Sequence, residues 1–77
     1  MKIEIYGTSW CKNCNLAITF CKNREIDYVF HNVEKYTNRI ELEYRVESVT
    51  AMVPQVFVDN ERVPNGYSGL VEKLGEV

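Results

Sequence analysis

The stretch Met1-Lys2-Ile3-Glu4-Ile5-Tyr6-Gly7-Thr8-Ser9-Trp10-Cys11-Lys12-Asn13-Cys14 decides how this chain folds. Residues 2–7 read as a strand, because Ile3 and Ile5 alternate with Lys2 and Glu4 and Gly7 breaks the run. Thr8-Ser9-Trp10 reads as a turn, with Thr8 or Ser9 able to help cap the next element. From Cys11 to about Asn23, the apolar residues Cys14, Leu16, Ala17, Ile18, Phe20 and Cys21 fall at helical spacing. Cys11 and Cys14 therefore stand at a strand-to-helix junction. The unpaired N–H groups and the positive dipole end of a helix N-terminus stabilise a thiolate. A Cys-x-x-Cys pair in that place suits thiol–disulfide chemistry. Cys11 is the candidate attacking sulfur, and Cys14, about one turn along, the candidate resolving sulfur. Lys12 adds a cation beside them.

The rest of the chain extends the same pattern. Residues 26–33 hold Ile26, Tyr28, Val29, Phe30 and Val33. Near-continuous apolarity predicts a strand covered on both faces, hence a parallel sheet with helices on each side. Residues 34–48 are more polar and carry Ile40, Leu42, Tyr44 and Val46, with Val49 just beyond. They predict a second, weaker helix that starts near Thr37 or Asn38 as a cap. Its acidic residues Glu41, Glu43 and Glu47 read as a solvated face. Val53-Pro54-Gln55-Val56-Phe57-Val58-Asp59 reads as a third strand, Asp59-Asn60-Glu61 as a turn, and Glu61-Arg62-Val63 as a short antiparallel return. Pro64-Asn65-Gly66 is a further turn, and residues 68–74 form a short closing helix through Leu70, Val71 and Leu74. The order β-α-β-α-β-β-α predicts an α/β layer structure, a four-stranded mixed sheet flanked by helices. The cysteine pair falls at the carboxyl end of the first strand, the edge where open α/β folds bind ligands.

Size and composition bound the function. Seventy-seven residues make one domain, 1–77, and a chain this short buries only about 60% of its unfolded surface. Apolar residues at 45% and charged residues at 26% fit a globular protein. A net charge of −2 and nine scattered basic residues argue against nucleic acid as a partner. No run approaches the roughly 18 apolar residues of a membrane span. Glu4 interrupts what a signal peptide needs to be apolar, so a cytoplasmic location is expected. In a reducing compartment three cysteines point to catalysis or metal binding rather than a disulfide framework. Zinc needs about four ligands, and only Cys21 and His31 remain beside the pair. Cys21 lies two helical turns beyond Cys14, about 10 Å by helix rise, so it cannot share one ion with it. Cys21 reads as a packing residue, His31 as a surface or sheet-edge residue, and no metal site is expected. Trp10 reads equally as a partner contact or as packing over the sheet edge.

The chain resembles the glutaredoxins, the small branch of the thioredoxin superfamily, over nearly its whole length. An N-terminal strand leads into Cys11-Lys12-Asn13-Cys14. Val53-Pro54 stands directly before an apolar strand, similar to the family's Thr-Val-Pro segment with Met52 for Thr. Gly66-Tyr67 resembles the family's Gly-Gly-aromatic turn, and the length also suits the family. The departures are Lys12-Asn13 where Pro-Tyr is common, Thr8 and Ser9 where a basic residue is frequent, Asn65 in the Gly-Gly pair, and Gly69 where an Asp often follows Ser or Thr.

The resemblance implies a thioredoxin-like fold and a dithiol oxidoreductase that reduces protein disulfides or glutathione mixed disulfides. It implies a cis Val53–Pro54 bond facing the cysteines. It implies a glutathione or substrate site made by Lys12, Asn13, Val53, Pro54, Gly66, Tyr67 and Ser68. Glutathione is then the reductant, with no tightly bound cofactor. The expected partners are glutathione, disulfide-containing client proteins such as ribonucleotide reductase, and a glutathione or thioredoxin reductase system, acting on a monomer. An iron–sulfur cluster shared between two copies occurs in some members. Two further readings stay open: an electron donor fed by thioredoxin reductase, and a non-catalytic binding module of the same shape.

Overall fold

In the computed structural model, which describes residues 1–47 and 52–75, the chain runs β1 (Ile3–Gly7), α1 (Lys12–Asn23), β2 (Tyr28–Asn32), α2 (Tyr36–Val46), β3 (Gln55–Val58), β4 (Glu61–Val63) and α3 (Gly66–Leu74). The expected element order holds. The strands form one sheet in the order β2-β1-β3-β4. β1 pairs parallel with β2 and antiparallel with β3, and β3 and β4 form an antiparallel hairpin. The sheet is therefore mixed, as a thioredoxin-like fold requires.

The central strand explains the core. Ile3 and Ile5 point to one face, where they meet Ala17 and Cys21 of α1, Val56 and Val58 of β3, Val63 of β4 and Leu70 of α3. Tyr6 points to the other face and packs with Leu42 of α2 and Phe57 of β3. All five residues of β1 are buried, Glu4 included. The alternation of residues 2–7 looks like a half-exposed strand, but α2 covers its polar side. Glu4 is satisfied there by Arg45 of α2 at 3.0 Å and by His31 of β2 at 3.3 Å. Arg45 also donates to the Tyr6 hydroxyl at 2.9 Å, and Tyr6 donates to Glu41 at 2.9 Å. The Arg45 guanidinium lies 3.8 Å from the Phe57 ring centroid. A polar cluster thus does much of the work of fastening α2 to the sheet.

Four local expectations are corrected. β2 is parallel as read, but it is an edge strand with no fully buried residue, and Val29 is 45% exposed. Its apolar run packs one face only. The second helix starts at Tyr36 with Lys35 as cap residue, so Thr37 and Asn38 lie inside its first turn. Asn32 orders the entry instead, accepting from the Glu34 N–H at 2.8 Å, while the Asn38 amide donates to the Asn32 carbonyl at 3.0 Å. Glu41 and Glu43 are not simply solvated: Glu41 holds Tyr6, and Glu43 pairs with Arg39 at 3.1 Å. The closing helix begins two residues early, after Asn65 in a left-handed conformation. Ser48 and Val49, expected in the second helix and just after it, lie outside the described residues.

No helix among the described residues is long and apolar enough to cross a membrane.

Candidate active site

Cys11 is itself the N-cap of α1. Its backbone is extended, its carbonyl accepts the first helical bond from the Asn15 N–H at 3.1 Å, and its Sγ accepts from the Cys14 N–H at 3.2 Å. A cap residue normally offers a side-chain oxygen to the orphan N–H groups of the first turn. Here a sulfur takes that place, and neither Thr8 nor Ser9 caps the helix as the sequence suggests. The Thr8 hydroxyl is buried without a hydrogen-bond partner, and Ser9 Oγ donates to Glu34 at 3.5 Å.

Cys11 is half-buried and Cys14 fully buried, and both are free thiols, as is Cys21. Burial pushes the Cys14 thiol up to about 12, and the hydrogen bond and charge of the neighbouring Cys11 act in the same direction. Cys14 is therefore neutral at physiological pH. Burial also raises Cys21, which sits in the core between α1 and the sheet, the packing role expected of it.

The loop before Cys11 is clasped from the side. The Trp10 indole N–H donates to Glu34 at 3.0 Å. That bond, with help from Asn32, holds the Glu34 carboxyl below its usual range. The Trp10 ring is 74% exposed, so it does not pack over the sheet edge.

The Val53–Pro54 peptide is cis. The first turn of α3 comes up against it: a Cβ at Gly66 would stand 2.7 Å from the Pro54 carbonyl oxygen. Gly66 also has a φ of +53°, which glycine adopts most easily. Around this contact lies an open groove of about 350 Å³. It gathers Asn13, Val53, Pro54, Gly66, Tyr67 and Ser68, six of the seven residues nominated for substrate. Lys12 is exposed on the first turn of α1 and does not line the groove. Val53 also borders a second groove of about 310 Å³ on the side of Thr8, Trp10 and Glu34.

Sequence reasoning missed Gly7, Glu34, Gln55 and Arg62 as parts of this region. Gln55 and Arg62 line the first groove, and the Gln55 amide donates to the Met52 carbonyl at 2.6 Å. Their signal was present in outline, since each is a polar residue next to an inward valine, Val56 and Val63. Gly7 and Glu34 carry no local signal, because their partners Cys14 and Trp10 are met only in space. Among the described residues no three His, Cys, Asp or Glu side chains gather to hold a metal ion.

Solved structures share this fold. The thioredoxin-like protein BC3987 is 26% identical with a TM-score of 0.77, over 95% of this chain and 99% of that one. Glutaredoxin 1 from Francisella tularensis is 22% identical with a TM-score of 0.74, over 95% and 91%. A buckwheat glutaredoxin in complex with glutathione is 14% identical with a TM-score of 0.73, over 94% and 66%. Among curated proteins no match was found. The glutaredoxin family model matches residues 3–63, and with most of the chain inside that match the protein belongs to the glutaredoxin family of thiol–disulfide oxidoreductases.

Proposed function

We propose that this protein is a dithiol glutaredoxin that reduces protein disulfides or glutathione mixed disulfides, with Cys11 as nucleophile and Cys14 as resolving thiol. The observation that carries the reading is the cap itself. The Cys14 N–H points at the Cys11 sulfur at 3.2 Å, while Cys14 stays buried and neutral one turn behind. A donor aimed at sulfur and the helix N-terminus both favour negative charge at Cys11.

The chemistry follows. The Cys11 thiolate attacks one sulfur of the substrate disulfide, that S–S bond breaks, and the first substrate thiolate leaves. Cys14 then attacks the Cys11 sulfur, giving its proton to the departing second thiolate. The Cys11–Cys14 disulfide that remains has passed two electrons to the substrate. Two glutathione molecules return the dithiol, one through a mixed disulfide at Cys11. The groove of Asn13, Val53, Pro54, Gly66, Tyr67 and Ser68 holds the non-reacting part of the substrate, and Lys12, exposed on the first turn of α1, contributes charge from outside it. The setting is cytoplasmic, the protein acts as a monomer, and ribonucleotide reductase is a fitting client.

A second reading has one observation in its favour. Gly69, where a carboxylate for the ammonium of glutathione is expected, is buried with the Pro64 carbonyl against its α-carbon, which leaves no room for a side chain. That favours feeding by thioredoxin reductase.

The test is NADPH-coupled turnover of a small glutathione mixed disulfide through glutathione reductase, run beside reduction by thioredoxin reductase, on wild type and Cys11→Ser. Glutathione-linked turnover that disappears in Cys11→Ser supports the first reading. Reduction by thioredoxin reductase alone supports the second, and failure with both reductants favours the non-catalytic binding module.

A further inference from the structure

The groove that Asn13, two residues beyond Cys11, helps to line carries charge of one sign. Among the described residues that line it, Arg62 is the one charged side chain. Arg62 reaches the groove from an exposed position on β4. Its guanidinium donates to the Gln55 side-chain oxygen over a long 3.4 Å. The ion pairs among the described residues, Glu4 with His31 and Arg45 and Glu43 with Arg39, do not include it. Arg62 also borders a second depression with Glu61, Glu72 and Lys73, and its hydrogen bond goes to Gln55 rather than to either acid. A guanidinium has five donors in a planar fork that matches a carboxylate. Among the described residues most of these donors are unspent.

We propose that Arg62 selects the substrate: the groove takes disulfides flanked by a carboxylate, and prefers an acidic polypeptide segment to glutathione. The inference rests on the Cys11 exchange reading and adds the substrate class. Two sources supply carboxylates next to a reacting sulfur, the tripeptide and an acidic client chain. Glutathione brings two carboxylates and one ammonium, and no acid among the described residues lines the groove to receive the ammonium. An acidic client segment brings only the charge that Arg62 accepts. A basic segment is repelled.

The experiment compares one synthetic peptide disulfide in three forms, with Glu, Gln or Lys flanking the cysteine, together with the glutathione mixed disulfide. kcat/KM is measured for wild type, Arg62→Gln and Arg62→Glu. In wild type the Glu peptide is expected to exceed the Gln peptide by about fivefold, in line with a single exposed ion pair. The Lys peptide is expected to fall below the Gln peptide, and the glutathione adduct to fall below the Glu peptide. Arg62→Gln levels the three peptides, Arg62→Glu reverses their order, and added salt shrinks the spread. An order that survives unchanged in Arg62→Gln, or no order in wild type, overturns the proposal. A glutathione adduct that outruns the Glu peptide and loses more in Arg62→Gln makes glutathione the source of the carboxylate and overturns the preference. If wild type reduces none of the four, the exchange reading fails. Calorimetric affinities of the thiol-blocked peptides for wild type and Arg62→Gln then still decide the role of Arg62.

Discussion

The sulfur of Cys14 rests against the α-carbon of Gly7: a Cβ added there would overlap Sγ and stand 2.9 Å from the Cys14 Cβ. The last residue of β1 and the candidate resolving thiol therefore fix each other's position. Gly7→Ala is expected to lower stability by about 1–3 kcal/mol, the usual range for overfilling a packed site. The shift of Cys14 also slows its attack on the mixed disulfide. Urea denaturation checks the first effect and stopped-flow resolution of a Cys11 adduct the second. Wild-type values in both would show that α1 backs away from β1 freely.

The two cysteines should separate by substrate. Cys11→Ser is expected to abolish turnover of every disulfide. Cys14→Ser should keep turnover of a small glutathione adduct, which free glutathione resolves, and should trap protein clients as mixed disulfides. Non-reducing electrophoresis with a client disulfide reads the trapped species. Wild-type rates on protein disulfides in Cys14→Ser would remove Cys14 as the resolver.

Alkaline pH should weaken the reduced protein more than the oxidised one. An unfolded thiol titrates near 8.5, whereas folded Cys14 is pushed up to about 12. Between those values the folded chain holds a proton that the unfolded chain has lost. Stability is thus full below the unfolded value and falls as pH rises, by up to about 1.4 kcal/mol per pH unit for one group. Burial raises Cys21 and Tyr6 in the same direction. A Cys11–Cys14 disulfide removes only the Cys14 share. Urea midpoints of both redox forms, taken near neutrality and well above pH 9, measure the difference. Parallel losses in the two forms would count against a buried neutral Cys14.

The polar cluster under α2 should matter at low pH. Burial alone would raise the Glu4 carboxyl, but the Arg45 hydrogen bond and charge, then His31, outweigh it and hold it below its usual value. Its contribution to stability is present above the unfolded carboxylate range and is lost as pH falls through the lowered folded value. Arg45→Met keeps much of the packing on Phe57 but leaves Glu4 with His31 as its one remaining partner among the described residues. It should cost about 2 kcal/mol at neutral pH and flatten the acid limb of the stability curve. A variant with unchanged acid sensitivity would place the acid-labile charge elsewhere.

Much of this architecture was legible in the chain itself. The alternation of Ile3 and Ile5, the helical spacing from Cys14 to Cys21, and the turns around Asn60 and Asn65 fixed the element order, because these are short-range properties of backbone and burial. The Cys-x-x-Cys pair and Val53-Pro54 marked the candidate site. Element ends were less legible. Lys35, rather than Thr37 or Asn38, precedes α2 because Asn32 orders the preceding loop by contacts that no local pattern reveals.

The sequence by itself determined which groups are present and which strand and helix present the two cysteines. Only the tertiary structure decided the charges and spaces around them. Glu4 reads as a solvent-facing residue until α2 brings Arg45, 41 positions away, within 3.0 Å. Gly7 reads as a strand breaker until α1 folds back and sets the Cys14 sulfur on it. Arg62 reads as an ordinary hairpin charge until β4 places it beside Pro54 and Tyr67. Each depends on distance in space between residues distant in the chain, and a linear pattern carries no such distance.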